Sequence, residues 1–208
     1  VVAFNNVWLN TDSISIERDG VLPSYVGAFD TITAVLTVTC PPGGCGPWDR
    51  VASIDAQGHD GQWYEIIRYI TPYGVPCSHR INLTDYMSIL QGKVRFRANC
   101  ATLDNGFQYE LKFDYKEGVP PHKYSTVKQV WKEIYPFGDY ANLQPVPTFN
   151  YTYTSGAVAS KLKLVSTGHG WGSLNTSNAA EFYNATHNVW VNGANTFAQQ
   201  NWLTCNPN

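Results

Sequence analysis

Apolar side chains recur at every second position over several stretches of this chain. Val35-Leu-Thr-Val-Thr, Val51-Ala-Ser-Ile-Asp, Trp63-Tyr-Glu-Ile-Ile-Arg-Tyr-Ile, Lys93-Val-Arg-Phe-Arg and Tyr109-Glu-Leu-Lys-Phe-Asp-Tyr alternate or nearly so. A period of two sends apolar residues to one face of an extended chain and polar residues to the other, so each stretch predicts a half-buried β-strand. Turn residues fall between them at Gln57-Gly58, Asp60-Gly61, Tyr73-Gly74, Gln91-Gly92 and Asn105-Gly106. The last pair lies between two alternating runs and predicts a hairpin. One helical turn is expected over Thr84-Asp-Tyr-Met-Ser-Ile-Leu, with Thr84 as its N-cap. The pattern breaks near Gly118-Val-Pro-Pro-His, and the Pro- and aromatic-rich residues up to 147 read as a connector that packs against something. Further strands are expected near 160–166 and 188–192. The organisation is therefore a first domain at 1–118, a connector at 119–147 and the start of a second domain at 148–208, with no internal repeat.

Composition agrees with an all-β chain. Its 208 residues suffice for one large or two modest β domains. Thirteen Tyr, nine Phe and seven Trp, with 17 Gly and 12 Pro, suit short strands joined by tight turns and not helices. A formal charge of −2 gives no electrostatic case for nucleic acid or an anionic membrane surface. No apolar run has the length needed to span a bilayer, so a soluble chain is expected. The first residue, Val1, reads as the start of a processed chain.

Cysteine and asparagine usage point to a secreted or extracellular protein. Cys40 and Cys45 flank Pro-Pro-Gly-Gly, a loop able to close a small disulfide. Cys77 and Cys100 are the candidate second pair, across neighbouring loops, which leaves Cys205 unmatched. An odd cysteine in a secreted protein suggests a bond to another chain, a missing partner segment or a free thiol. Sequons for N-glycosylation stand at Asn82, Asn150, Asn175 and Asn184, and at least one is expected to be used. The five histidines show no two-ligand spacing, so neither a metal nor another cofactor is expected.

Two longer motifs carry a resemblance. Cys40-Pro-Pro-Gly-Gly-Cys45-Gly-Pro-Trp48-Asp49-Arg50 is followed by Trp63-Tyr-Glu-Ile-Ile-Arg-Tyr-Ile-Thr-Pro-Tyr73. Later come Ser166-Thr-Gly-His-Gly-Trp171-Gly172, Ala180-Glu181, Thr186-His187 and Asn195-Thr-Phe197. In this order and spacing they resemble the peptide-N-glycosidase F family, over nearly the whole chain. The resemblance implies two antiparallel jelly-roll β domains side by side, the second incomplete. It also implies hydrolysis of the amide joining an N-linked glycan to asparagine, with an N-glycan or glycoprotein as partner. On that pattern Asp49 is the main catalytic acid and Glu181 a second carboxylate. Arg50 orients Asp49 or holds a sugar hydroxyl, and Trp171 stacks on a sugar face.

Each residue also has a plainer reading. Asp49 can pair with Arg50 or cap a turn, Glu181 can be a surface acid, and Trp171 can pack in a core. The chain departs from the family pattern in three places. Where the family carries a third acid in a Thr-Glu-Thr-Trp stretch, Asn99 stands in Ala98-Asn99-Cys100-Ala101, able to hydrogen-bond a sugar acetamide but not to act as a base. Ala179 and Tyr183 replace a small disulfide beside Glu181. The last residue, Asn208, precedes the end of the family's second domain. Another chain or a cleaved fragment completes it through Cys205, the sequence itself continues, or a shorter second domain closes differently; a missing C-terminal part is the preferred expectation. The alternative to the amidase is a non-catalytic secreted protein, structural or glycan-binding, that keeps the scaffold.

Overall fold

A computed structural model describes residues 1–24, 28–142, 145–172 and 178–202, so the expectations for Asn175 and Cys205 lie outside the described residues. The fold is all-β, and its described helical turns are two 3-10 turns, Thr84–Tyr86 and Ala180–Phe182. The chain divides into two units, Val1–Lys132 and Glu133–Asn208, a boundary inside the stretch expected as connector.

The first unit has eight strands: β1 (Val2–Leu9), β2 (Ser15–Val21), β3 (Phe29–Thr39), β4 (Val51–Gln57), β5 (Trp63–Ile70), β6 (Cys77–Asn82), β7 (Lys93–Cys100) and β8 (Phe107–Glu117). They form two four-stranded antiparallel sheets, ordered β1-β8-β3-β6 and β2-β7-β4-β5. The chain changes sheet at every connection except the β4–β5 hairpin, which is the winding of a jelly roll. All five strands expected from alternation are present, as β3, β4, β5, β7 and β8. Their inward residues make the core: Ile32, Ala34, Leu36 and Val38 on β3, Phe107, Tyr109, Leu111 and Phe113 on β8, with Ile54, Phe96 and Ala98 from the opposite sheet. Phe96 and Phe113 stack with ring centroids 5.2 Å apart and join the two sheets. Each large side chain so buried contributes about 1.5–3 kcal/mol.

Several expectations are corrected. Asn105-Gly106 closes no hairpin, because β7 and β8 belong to different sheets and the loop crosses from one to the other. Gly106 has φ 65°, and a Cβ there would strike the backbone of Leu9, so glycine serves a close approach of chains. Thr84 is not an N-cap: its hydroxyl accepts the Ile32 amide at 3.0 Å, and Asn82 Oδ1 instead accepts the Thr84 amide at 2.9 Å. Cys40 and Cys45 are bonded, but Cys77 and Cys100 are free thiols. The latter two lie on strands of opposite sheets, and each has its own neighbour. Cys77 Sγ sits 3.4 Å from His79 Nε2, and burial pushes both thiols above their ordinary pKa.

In the second unit β9 (Trp171–Gly172) pairs with β10 (Asn178–Ala179), and β11 (Thr186–Val191) with β12 (Ala194–Gln200). Residues 160–166 form no strand although they alternate, since no other described strand pairs with them. Asn192 and Gly193 close the β11–β12 hairpin with φ 51° and 81°, the two positive values that a type I′ turn requires.

Candidate active site

The residues singled out by sequence lie in three places. Asp49 and Arg50 enter β4 from the disulfide loop, Asn99 stands on the outer face of the β2-β7-β4-β5 sheet, and Glu181 and Trp171 belong to the second unit.

The loop before β4 is tied at several points. Asn105 Nδ2 donates to the carbonyls of Pro42 and Gly44, inside the Cys40–Cys45 ring. The Gly46 amide donates to Gly106 O at 2.8 Å. Thr71, itself buried, accepts the Arg50 amide at 2.8 Å, and its own amide returns to Arg50 O. These bonds hold half-buried Asp49 at the start of β4, while Trp48 beside it is exposed. The Arg50 guanidinium pairs with Asp104 at 2.7 Å. Burial works to raise the Asp104 carboxyl, but the bonds from Arg50, Thr102 and the Gly106 amide outweigh it and hold the pKa below the ordinary carboxylate value.

On the outer sheet face, alternation carries Ser15, Glu17, Ser53, Asp55, Arg97 and Asn99 to one side. Asn99 is half-buried there. Its Nδ2 donates to Ser53 Oγ and to Asp55 Oδ2, each at 3.2 Å, and its Oδ1 accepts from Ser15 Oγ at 2.8 Å. Asp55 is fully buried. It also accepts from Arg97 Nη2 at 2.7 Å and from Lys132 Nζ at 2.8 Å. Glu65, whose two carboxylate oxygens accept from Nε and Nη2 of Arg68, lies next along the sheet, and Gln129 Oε1 accepts the Glu65 amide. Arg97 stacks over Trp63 with its guanidinium carbon 4.3 Å from the ring centre. Sequence reading missed Asp55. The available signal was a carboxylate on the strand that Trp48-Asp49-Arg50 leads into.

In the second unit, Glu181 is half-buried in the Ala180–Phe182 turn. The Gly168-His-Gly-Trp171 stretch supports that turn: the Ala180 amide donates to Gly170 O at 2.9 Å, and a Cβ on Gly168 would come within 2.5 Å of the Ala180 backbone. Trp171 pairs with Ala179 across the β9–β10 ladder and is 66% exposed, so it is not a core residue. Phe137 packs on Tyr183, where the family pattern has a disulfide cysteine. The sequon residues Asn82, Asn150 and Asn184 are exposed.

No protein-family model matches the chain. It is 31% identical, over 91% of its length, to the peptide-N(4)-(N-acetyl-beta-D-glucosaminyl)asparagine amidase F of Elizabethkingia miricola. The solved structure of peptide-N-glycosidase F, a glycosylasparaginase from Flavobacterium meningosepticum, superposes with a TM-score of 0.75 at 26% identity, covering 96% of this chain and 70% of that one. A crystal structure of the same kind of amidase at 2.2 Å resolution gives 0.73 at 26% identity, with the same coverage. The resemblance to the peptide-N-glycosidase F family holds in sequence and in fold. The chain spans 58% of the length of that curated relative. Neither the relative nor the solved structures speak for a second chain completing the domain.

Proposed function

We propose that this chain is a peptide-N-glycosidase, hydrolysing the amide between an N-linked glycan and the asparagine of a glycoprotein. The similarity to an amidase of that name over 91% of the chain carries the reading. Retention of Asp49, Arg50, Glu181 and Trp171 at the family's motifs supports it.

The chemistry explains why two carboxylates are kept. An amide is a weak electrophile with a poor leaving group, so water needs a base and the departing nitrogen needs a proton. In this reading Asp49 activates water, leaving aspartate and a glycosylamine, and Glu181 is the family's second carboxylate. Arg50, whose guanidinium also pairs with Asp104, orients Asp49 or holds a sugar hydroxyl. Trp171 offers an exposed ring for a sugar face. The secreted setting goes with the reading, as does glycosylation of the exposed asparagines Asn82, Asn150 and Asn184.

The test is incubation of the protein with a defined N-glycopeptide, read by mass spectrometry. Free glycan together with Asn converted to Asp, absent in Asp49→Ala, is the expected result. Intact glycopeptide favours the second reading, a glycan-binding protein on the same scaffold. Asn99, standing where the family carries an acid, is the observation on that side.

A further inference from the structure

We propose that the edge between β1 and β2 holds a separate site for a carboxylated sugar, a sialic or uronic acid, with Trp8 as its platform and Arg18 as its carboxylate clamp. The inference rests on the proposed function only in taking a glycan as the ligand, and not on catalysis.

β1 and β2 are edge strands of opposite sheets, and a cavity of about 470 Å³ opens between them. Pockets of that size take small ligands. Asn5, Asn6, Trp8, Ile16, Arg18 and Asp19 are among its lining residues. Successive side chains of a strand alternate, so β2 sends Ser15 and Glu17 to the Asn99 face while Ile16 and Arg18 turn to the cavity. The two places are therefore distinct.

A bulge shapes the β1 wall. The register of β1 on β8 slips between Val2 and Phe4 and again between Phe4 and Val7. Asn6 takes φ 53°, a left-handed conformation that asparagine tolerates better than most residues but at a cost. Asn5 and Asn6 are both exposed in consequence, and among the described residues no hydrogen bond occupies either side-chain amide. Trp8 donates its indole N–H to Asn105 O at 2.7 Å, which fixes the ring, yet the residue stays 39% exposed.

The β2 wall supplies a charge without a partner. Five of the six arginines, Arg50, Arg68, Arg80, Arg95 and Arg97, each pair with a carboxylate. Among the described residues Arg18 has none: its Nη1 donates to the Glu17 carbonyl at 2.8 Å. The adjacent Asp19 is taken by Lys93 at 3.0 Å. An indole face suits the C–H face of a pyranose, neutral amides suit its hydroxyls, and a guanidinium suits a carboxylate. A neutral sugar would leave Arg18 unused, and a bare carboxylate would leave Trp8 and both amides unused.

The experiment is an NMR titration of the whole chain, without turnover, following the Trp8 indole N–H. The probes are the methyl α-glycoside of N-acetylneuraminic acid beside its methyl ester, and methyl β-glucuronide beside methyl β-glucoside. At least one acid is expected to shift that signal and to bind about tenfold more tightly than its neutral counterpart. Which acid does so identifies the source of the carboxylate. Arg18→Gln is expected to bring the ratio close to one, and Trp8→Ala to weaken acid and neutral sugar alike. Should Trp8→Ala not fold, as circular dichroism would show, Arg18→Gln decides, since it changes an exposed side chain. The proposal is overturned if neither acid shifts the Trp8 signal, or if the ratio survives Arg18→Gln. The ratio found in a protein that leaves glycopeptide intact would keep this site and sink the amidase. Cleavage of glycopeptide with no binding of either acid would do the reverse.

Discussion

Asn99 on β7 and Asp55 on β4 share one hydrogen bond at 3.2 Å, so an amide half open to solvent is anchored on a carboxylate that water does not reach. The carboxylate holds Arg97 and Lys132 as well, and through Lys132 it ties the segment after β8 to the sheet face. One buried charge therefore organises a polar side-chain triad and a length of irregular chain.

Restoring an acid at position 99 is expected to harm the fold. Asn99→Asp places two carboxylates about 3 Å apart, and such a pair resists double ionisation. The new carboxyl has its folded pKa raised above its unfolded value, so the variant matches the parent most closely below about pH 4 and loses stability as pH rises. Urea unfolding should place it about 2 kcal/mol below the parent at pH 7. Equal midpoints at pH 7 would contradict the arrangement.

Removing the anchor should release the segment it holds. Asp55→Ala leaves Arg97 and Lys132 without their buried partner, a loss of about 3 kcal/mol. Limited digestion with trypsin should then cut after Lys132, a site the parent protects. Protection unchanged in a folded variant would show that Asp55 does not fix this segment.

Much of the first unit was legible because period-two alternation survives wherever a strand has a partner on both sides. β3, β4 and β7 are such strands, and each was read correctly. The edges were not. β1 is bulged, with Asn6 at φ 53°, so Ala3 and Phe4 are buried side by side and Asn5 and Asn6 are exposed side by side. β2, Ser-Ile-Glu-Arg-Asp-Gly-Val, carries too few apolar residues to register. Asn105-Gly106 misled because turn chemistry is local, whereas the choice of partner strand is made by the rest of the sheet. Asp55 was passed over for a similar reason: a polar residue in an alternating strand reads as solvent-facing, and its place on the strand after Trp48-Asp49-Arg50 was a weak signal beside that. Lys132, which bonds it, comes 77 residues later.

The Arg50–Asp104 pair should leave a pH signature. Asp104 has its folded pKa held below the ordinary value, so its contribution is present above about pH 4 and is lost as pH falls through the lowered value. Asp104→Asn should lower stability by about 1 kcal/mol at pH 7, the two side chains being about one-fifth exposed. Melting curves of parent and variant should converge below pH 3. A gap that persists there would assign the effect to packing.

The Cys40–Cys45 bond closes a ring with a sequence separation of only 5, so its effect on the unfolded chain is small, about 2 kcal/mol. Cys40→Ala with Cys45→Ala should lower stability by that amount. It should also loosen the grip of Asn105 on Pro42 and Gly44, seen as faster amide exchange at Gly44 and Gly46. Exchange unchanged at both glycines would mean that Asn105 alone holds the loop.

At the other end of the pH scale, Tyr64 should limit alkaline stability. Its hydroxyl donates to Asp60 Oδ2 at 2.7 Å, and that bond, with the burial of the ring and the neighbouring charge, pushes its pKa from 10.0 up to about 12. A raised folded pKa means the stabilisation is whole below pH 10 and is lost between 10 and 12 as the unfolded state gives up its proton first. Tyr64→Phe removes both the bond and the titration. The variant should therefore be less stable than the parent at pH 8, and the difference should shrink as pH approaches 12. Absorbance at the phenolate band, followed in parent and variant, identifies the residue that titrates. If the parent-minus-variant absorbance rises near pH 10 instead, the Tyr64–Asp60 bond does not persist in solution.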